Sequence, residues 1–273
     1  MASTTVLTET GRLIELDGDF VDLVAGAEGR TGLLSAVVLR LQPLATMRPL
    51  VAAFERLAVL EQCIQELVGL GLPLWSVSAI DRAAVDLHRC ALGDPFELPG
   101  GRYALLVSFR DHDRLAIVPW LRGAILAAGG QLVQEGGDNQ RWVERFMSLQ
   151  ALGTTPVPMQ YRLPLGHVTE FVQGLPYGLR ERLAFECLVA KAHPSVSVRL
   201  FFTRPQHGAE NRFIADELLH HAEALGGVPY GTGLLYRQAA DRVYGSNVLA
   251  RMHAFQLEAD PAGRLNPGKA FPD

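Results

Sequence analysis

The sequence predicts an α+β protein: a short opening of sheet, then helices laid over one face of a mainly antiparallel sheet. Three observations carry that expectation. From Met47 onward, strand-like runs alternate with segments whose apolar residues recur at helical spacing. The strand runs return in hairpin fashion, as in repeated ferredoxin-like halves. The chain has 273 residues, 48% of them hydrophobic and 20% charged, which is enough to bury one large core or two ordinary ones.

Taken in order, the first forty-odd residues read as sheet. Residues 12–16 alternate and end at the Asp17–Gly18 turn signal, a Gly-punctuated loop runs from Gly26 to Gly32, and residues 33–44 form an apolar strand closed by Pro43. So much apolar surface on a lone hairpin must pair with other strands, and the chain opens as though in mid-domain. A strand is expected at 48–54 and a helix at 55–71, stopped by Gly69 and Gly71. A strand at 73–80 leads to a helix at 81–90 with Asp81 as its N-cap. The Gly/Pro-rich stretch 93–102 reads as a surface loop. A strand at 103–109, a helix at 114–130 containing Pro119, a strand at 131–135 and a helix at 139–149 follow. The last third reads as a strand near Pro158–Leu163, a helix at 167–175, strands at 184–192 and 195–203, and helices at 213–227 and 246–260. Sheet-only patterning gives way to alternation near residue 46.

Composition excludes several functions. A formal charge of -4 with scattered Lys and Arg leaves no basic stripe for nucleic acid. The N-terminus has neither the basic nor the apolar part of a signal peptide, and no apolar stretch is long enough to cross a bilayer. Cys63, Cys90 and Cys187 are odd in number and widely spaced, which suits reduced thiols in a cytoplasm, each a small buried hydrophobe. No G-x-S-x-G elbow is present for a serine nucleophile.

Two segments carry chemistry. In residues 22–44, Gly26, Gly29 and Gly32 permit positive φ around Glu28, so the backbone can approach a ligand and aim N–H groups at its oxygens. The same spacing also suits a plain tight turn with Glu28 in solvent. In residues 259–271, Pro261 and Pro267 stiffen the tail, Gly263 and Gly268 supply turns, and Asn266 offers both a donor and an acceptor. A purely structural clamp is the alternative there for Asn266 and Lys269. The first segment resembles the close of the second flavin-binding subdomain of FAD-linked oxidases of the vanillyl-alcohol oxidase type, and the second resembles that family's terminal Asp-Pro-x-Gly-x-x-Asn-Pro-Gly-Lys element. The glycolate oxidase/D-lactate dehydrogenase branch looks nearest.

The resemblance implies a division into a partial FAD-binding subdomain (1–45), a ferredoxin-like cap domain (46–255) and a tail returning to the flavin side (256–273). It further implies FAD as cofactor, with Gly26, Glu28, Gly29, Gly32 and Asn266 beside it. A counterpart of the family's N-terminal lobe is missing from the sequence, so FAD is expected to be shared with a second chain or weakly held, the partner being that chain or another copy in a homo-oligomer. The hydroxy-acid branch carries metal-binding His and Glu residues in a Gly-His-x-Gly-Asp-Gly-Asn-x-His strand and a Glu-His-Gly element. Here His193 matches one His, but Leu200 takes the second position, and Thr232 and Gly233 replace the Glu-His pair. One His does not make a metal site, and none is expected.

Other candidates are weaker. His220 and His221 diverge by about 100° on a helix and read as a solvated face. Tyr230 and Tyr236 flank a glycine turn and could line a pocket or simply pack. Arg199 and Arg237 could each grip a substrate carboxylate. Two roles follow: a subunit completing a flavin site that oxidises a 2-hydroxy acid or related small-molecule alcohol, or a catalytically silent subunit that keeps the cap fold to bind a partner. A truncated product without a role of its own is the third.

Overall fold

The computed structural model of the chain describes residues 1–92, 101–137, 159–190, 195–202, 208–233 and 235–272. The expected loop at 93–100, the expected helix at 139–149 and His193 lie outside the described residues. Two compact units form: unit 1 from Met1–Pro43 with Val228–Asp273, and unit 2 from Leu44–Gly227. This is a division by compactness, distinct from the family-derived one at 1–45, 46–255 and 256–273.

Unit 2 is an antiparallel sheet with helices. Its first half is β4 (Met47–Phe54), α1 (Leu57–Gly69), β5 (Leu74–Asp81), α2 (Arg82–Leu92), β6 (Tyr103–Arg110), α3 (Arg114–Ala127) and β7 (Gln131–Glu135). The strands lie in the order β5-β6-β4-β7, every neighbouring pair antiparallel. That is the ferredoxin-like arrangement, with α2 inserted between its two middle strands. The second half repeats the pattern with β8 (Met159–Pro164), α4 (Val168–Gly174), α5 (Tyr177–Arg180), β9 (Leu183–Ala190), β10 (Ser195–Phe202) and α6 (Gly208–Ala224). Here the order is β9-β10-β8, again antiparallel. The halves join where Ser78, Ala79 and Ile80 of β5 pair with Leu188, Cys187 and Glu186 of β9.

Strand alternation sends successive side chains to opposite faces. Ala79 lines a small cavity together with Leu57, Leu60 and Ile64 of α1. Its neighbour Ile80 clusters with Val51, Ala53, Leu106 and Phe201, and with Ala84 and Val85 of α2. The sheet is thus covered on both faces, not the one face expected from sequence, because α2 turns its small apolar residues back onto the strand that precedes it. Asp81 caps α2 as expected, accepting the Ala84 N–H at 2.7 Å. Phe109, Leu50 and Leu105 are fully buried, and so are Leu60, Ile117 and Leu121 of the helices.

Unit 1 contains a three-stranded antiparallel sheet, β2 (Leu13–Asp17), β1 (Ser3–Leu7) and β3 (Leu33–Val38), with β1 in the centre. The strand at 33–44 is shorter than its sequence suggested. Its partner runs out at Ser3, which pairs with Val38. After β10 and α6 the chain returns to this unit through α7 (Ala240–Tyr244) and α8 (Ser246–Ala259). Val6, Leu23, Val24 and Ala27 pack there on Met252, Phe255, Ala259 and Phe271. All six residues of β3 are exposed.

Candidate functional site

The two glycine-punctuated segments meet in unit 1. The Asn266 Nδ2–H donates to the Glu28 carbonyl oxygen, across 238 positions of sequence. Backbone strain marks the same place. Among the described residues, the non-glycine residues with positive φ are Glu28 at 49°, Asn266 at 43° and Ala270 at 61°, all in these two segments. Left-handed backbone costs an ordinary residue roughly 1–3 kcal/mol, so the surrounding structure must hold it there.

The surroundings can be named. Phe271 is fully buried beneath Ala270; its ring takes the Arg30 guanidinium on one side at 5.1 Å and the edge of His253 at 4.6 Å. Asp260, also buried, accepts the Arg264 N–H at 2.9 Å and the Leu265 N–H at 2.8 Å, which fixes the turn that delivers Asn266. Glu9, in the turn after β1, accepts the Ala262 N–H at 3.0 Å and pairs with the Arg264 guanidinium. Arg237 donates to the Gly268 carbonyl at 3.2 Å. The tail is therefore stapled at four points around Asn266.

The other loop is braced as well. Tyr244 donates its hydroxyl to the Gly26 carbonyl at 2.8 Å, and the Thr232 hydroxyl, 3.0 Å away, then donates to the Tyr244 oxygen. Half burial holds the Tyr244 phenol above its usual value; the Thr232 hydrogen bond opposes this and the Glu28 charge adds to it. The phenol stays a donor. Gly233 sits against the Glu28 carboxylate: a Cβ there would stand 3.4 Å from Oε1.

The three loop glycines have different work. Gly26 at φ 81° and Gly29 at φ 83° need glycine for conformation, since a Cβ at either would meet only ordinary contacts. Gly32 needs it for space, because a Cβ would fall 2.2 Å from Val6 Cγ1. Glu28 and Asn266 are exposed, joined through the Glu28 backbone carbonyl.

Of the remaining candidates, Tyr230 is exposed and Tyr236 is buried. The Arg237 guanidinium spends a donor on the tail, a positioning contact that spacing did not suggest. Arg199 is half-buried on β10 in unit 2 and, by alternation, shares a face with Phe201, opposite Leu200. Lys269 is half-buried. His221 departs from the expected solvated face: its Nε2–H donates to the Phe171 carbonyl at 2.9 Å and its ring stacks on Phe171 at 5.2 Å. His220 bonds its own helix at Asp216. Cys90 is exposed, unlike the buried residue expected, whereas Cys63 and Cys187 are buried and burial pushes both thiols up to about 12. Neither is a thiolate nucleophile. Among the described residues, no group of three or more His, Cys, Asp and Glu gathers around one point, and no helix is long and apolar enough to cross a membrane.

The contacts that sequence reasoning missed are Tyr244–Thr232, Glu9–Arg264 and Arg30 on Phe271. Each joins positions whose spacing carries no signal. Asp260 alone had one, as the acid of the Asp-Pro turn.

A family model described as FAD linked oxidases, C-terminal domain, matches residues 45–270. Among solved structures, p-cresol methylhydroxylase with substrate bound is similar with a TM-score of 0.73 and 16% identity, over 100% of this chain and 65% of that one. Two crystal forms of alkyldihydroxyacetonephosphate synthase are similar with a TM-score of 0.66 and 10% identity, over 97% of this chain and 52% of theirs. These likenesses are likenesses of fold. The chain spans about half the length of the synthase chains and 65% of the hydroxylase. No curated protein matches it.

Proposed function

Because the chain belongs to the FAD-linked oxidase family through the C-terminal domain that defines it, we propose that it forms one wall of the flavin site of an FAD-dependent oxidoreductase acting on a 2-hydroxy acid or related alcohol, as in the glycolate oxidase branch. FAD is the cofactor of that family. The observation that carries the reading is the junction of Glu28 and Asn266, two left-handed residues held against each other at the surface of unit 1.

The residues present fit one end of the cofactor. Glu28, the Gly29 backbone and Asn266 offer acceptors and donors on an exposed surface, the requirement for gripping the polar edge of a ring system. They are too few to enclose a diphosphate and an adenosine, so tight binding requires a further lobe, from a second polypeptide or another copy of the chain. The exposed β3 supports this: Leu33, Leu34, Val37 and Val38 stand in solvent on an edge strand, and such an edge invites another strand. When bound, FAD supplies the two-electron acceptor. The chain's own work is to hold and orient: Asn266 and Glu28 would hold the polar edge of the flavin, while Tyr244 and Arg237 fix the loops behind them.

A catalytically silent, partner-binding subunit is the second reading. It draws on Thr232, which stands where the metal-binding branch has its acid and here is engaged by Tyr244.

Absorbance separates the two. The chain is purified alone and together with a protein proposed to supply the further lobe. A bound-flavin spectrum in either sample, weakened in Asn266→Ala, supports the oxidoreductase role. Colourless protein in both leaves the silent subunit.

A further inference from the structure

Unit 2 holds a cavity of about 360 Å³ that the flavin-side reading does not use. This is within the range of small-ligand sites, roughly 300–1,000 Å³. It lies at one end of the sheet, between the start of α2, the end of α4, the short α5 and strands β6 and β9. Leu183, Phe185 and Leu200 line it and alternate along their strands with Ala184 and Phe201, which face the other way into the α2 cluster. The cavity therefore opens on the α4 side of the sheet, opposite the face of Arg199.

Its lining divides sharply by chemistry. The floor is apolar: Leu175, Leu183, Phe185 and Leu200 are all buried, with the Tyr103 ring tilted against Phe185 at 5.9 Å. The rim is cationic. Arg82 of α2, Arg102 just before β6 and Arg180 of α5 all line it. Arg82 has Asp86 at 3.5 Å, but among the described residues no carboxylate pairs with Arg102 or Arg180. The one acid in the lining, Asp81, is already engaged by the Ala84 N–H and the Phe185 backbone. Three guanidinium groups over an apolar pit, two of them with no carboxylate partner among the described residues, make a receptor for a negative head on a greasy body.

We propose that this cavity binds a small amphipathic anion, its carboxylate or phosphate held by Arg82, Arg102 and Arg180 and its apolar part resting on Leu175, Phe185 and Leu200. The site belongs to unit 2 alone and is independent of the flavin reading.

The test is calorimetric titration of the full chain with octanoate, octyl phosphate and inorganic phosphate. One equivalent of an octyl ligand is expected to bind, more tightly than inorganic phosphate, which has no apolar part. The better of the two octyl ligands names the head group. Arg102 and Arg180 are exposed, so R102A/R180A should keep the wild-type circular dichroism and melting curve while weakening that ligand by roughly tenfold to a hundredfold. Failure of both octyl ligands to bind, equal affinity for inorganic phosphate, or undiminished affinity in R102A/R180A overturns the proposal. Flavin content enters none of these readings, so the two proposals fail separately.

Discussion

The two units solve the same problem in opposite ways. Unit 2 covers its sheet on both faces, with α1 and α3 on one side and α2 on the other, and most residues of β4 and β6 are buried. Unit 1 leaves all of β3 exposed and concentrates its left-handed non-glycine residues in two loops. A unit finished within itself has no need of strain or of a bare apolar edge. One that retains both is shaped for something that covers it.

The largest expected effects come from emptying each core. Phe109→Ala in unit 2 and Phe271→Ala in unit 1 remove fully buried rings, and each should lose about 3–5 kcal/mol in urea titrations. Their consequences should part: Phe271→Ala frees the tail around Asn266 and should abolish flavin retention, whereas folded Phe109→Ala should keep it. Equal loss of flavin in both would break the contrast between the units.

Next in size is the pH dependence of unit 2. Burial raises Asp81 to about 7 from 3.8, with the Asp86 charge adding to it and the Ala84 and Phe185 hydrogen bonds opposing. The folded form therefore holds the proton more tightly. Its contribution to stability is full below about pH 4 and is lost as pH climbs through 7. Asp81→Asn keeps a capping oxygen and removes the titration. Relative to wild type it should be near neutral at pH 4 and more stable at pH 8, by at most about 4 kcal/mol. A pH-independent difference between the two melting curves would refute this.

A matched glycine pair sharpens the comparison further. Gly32→Ala forces a Cβ into Val6 at φ 118° and should cost unit 1 about 3 kcal/mol. Gly71→Ala, at φ 62° with open space around it, should cost unit 2 only about 1 kcal/mol. Smallest in stability is Asn266→Ala, at about 1 kcal/mol, yet flavin affinity measured by equilibrium dialysis should fall roughly tenfold.

What sequence could foresee follows the same divide. The strands and helices of unit 2 were legible because periodicity reports burial against neighbours close in the chain, and Asp81 announced its helix. In unit 1 the central strand β1 lay within an opening read as sheet but was not picked out as a strand. Its sequence, STTVL, has two buried side chains of which only Val6 is apolar, and its partners are β2 and a β3 that arrives some thirty residues later. The second face of the unit 2 sheet was missed although the helix at 81–90 was legible, because local periodicity does not say which face of a sheet a helix will cover. The meeting of Glu28 with Asn266 was anticipated only through family motifs. The props behind it, Tyr244 on Gly26 and Glu9 on Arg264, are contacts between distant positions, about which local pattern is silent. His221 looked solvent-facing because adjacency on a helix says nothing about the Phe171 carbonyl waiting beneath it.

Unit 1 is assembled from both ends of the chain, with Phe271 as part of its core. A ribosome adding about 5–20 residues per second delivers that ring roughly 10–45 s after β3 has emerged. During that interval Leu33, Leu34, Val37 and Val38 have neither their own interior nor an outside cover. A nascent chain pausing in this stretch should be a strong client for a holdase chaperone.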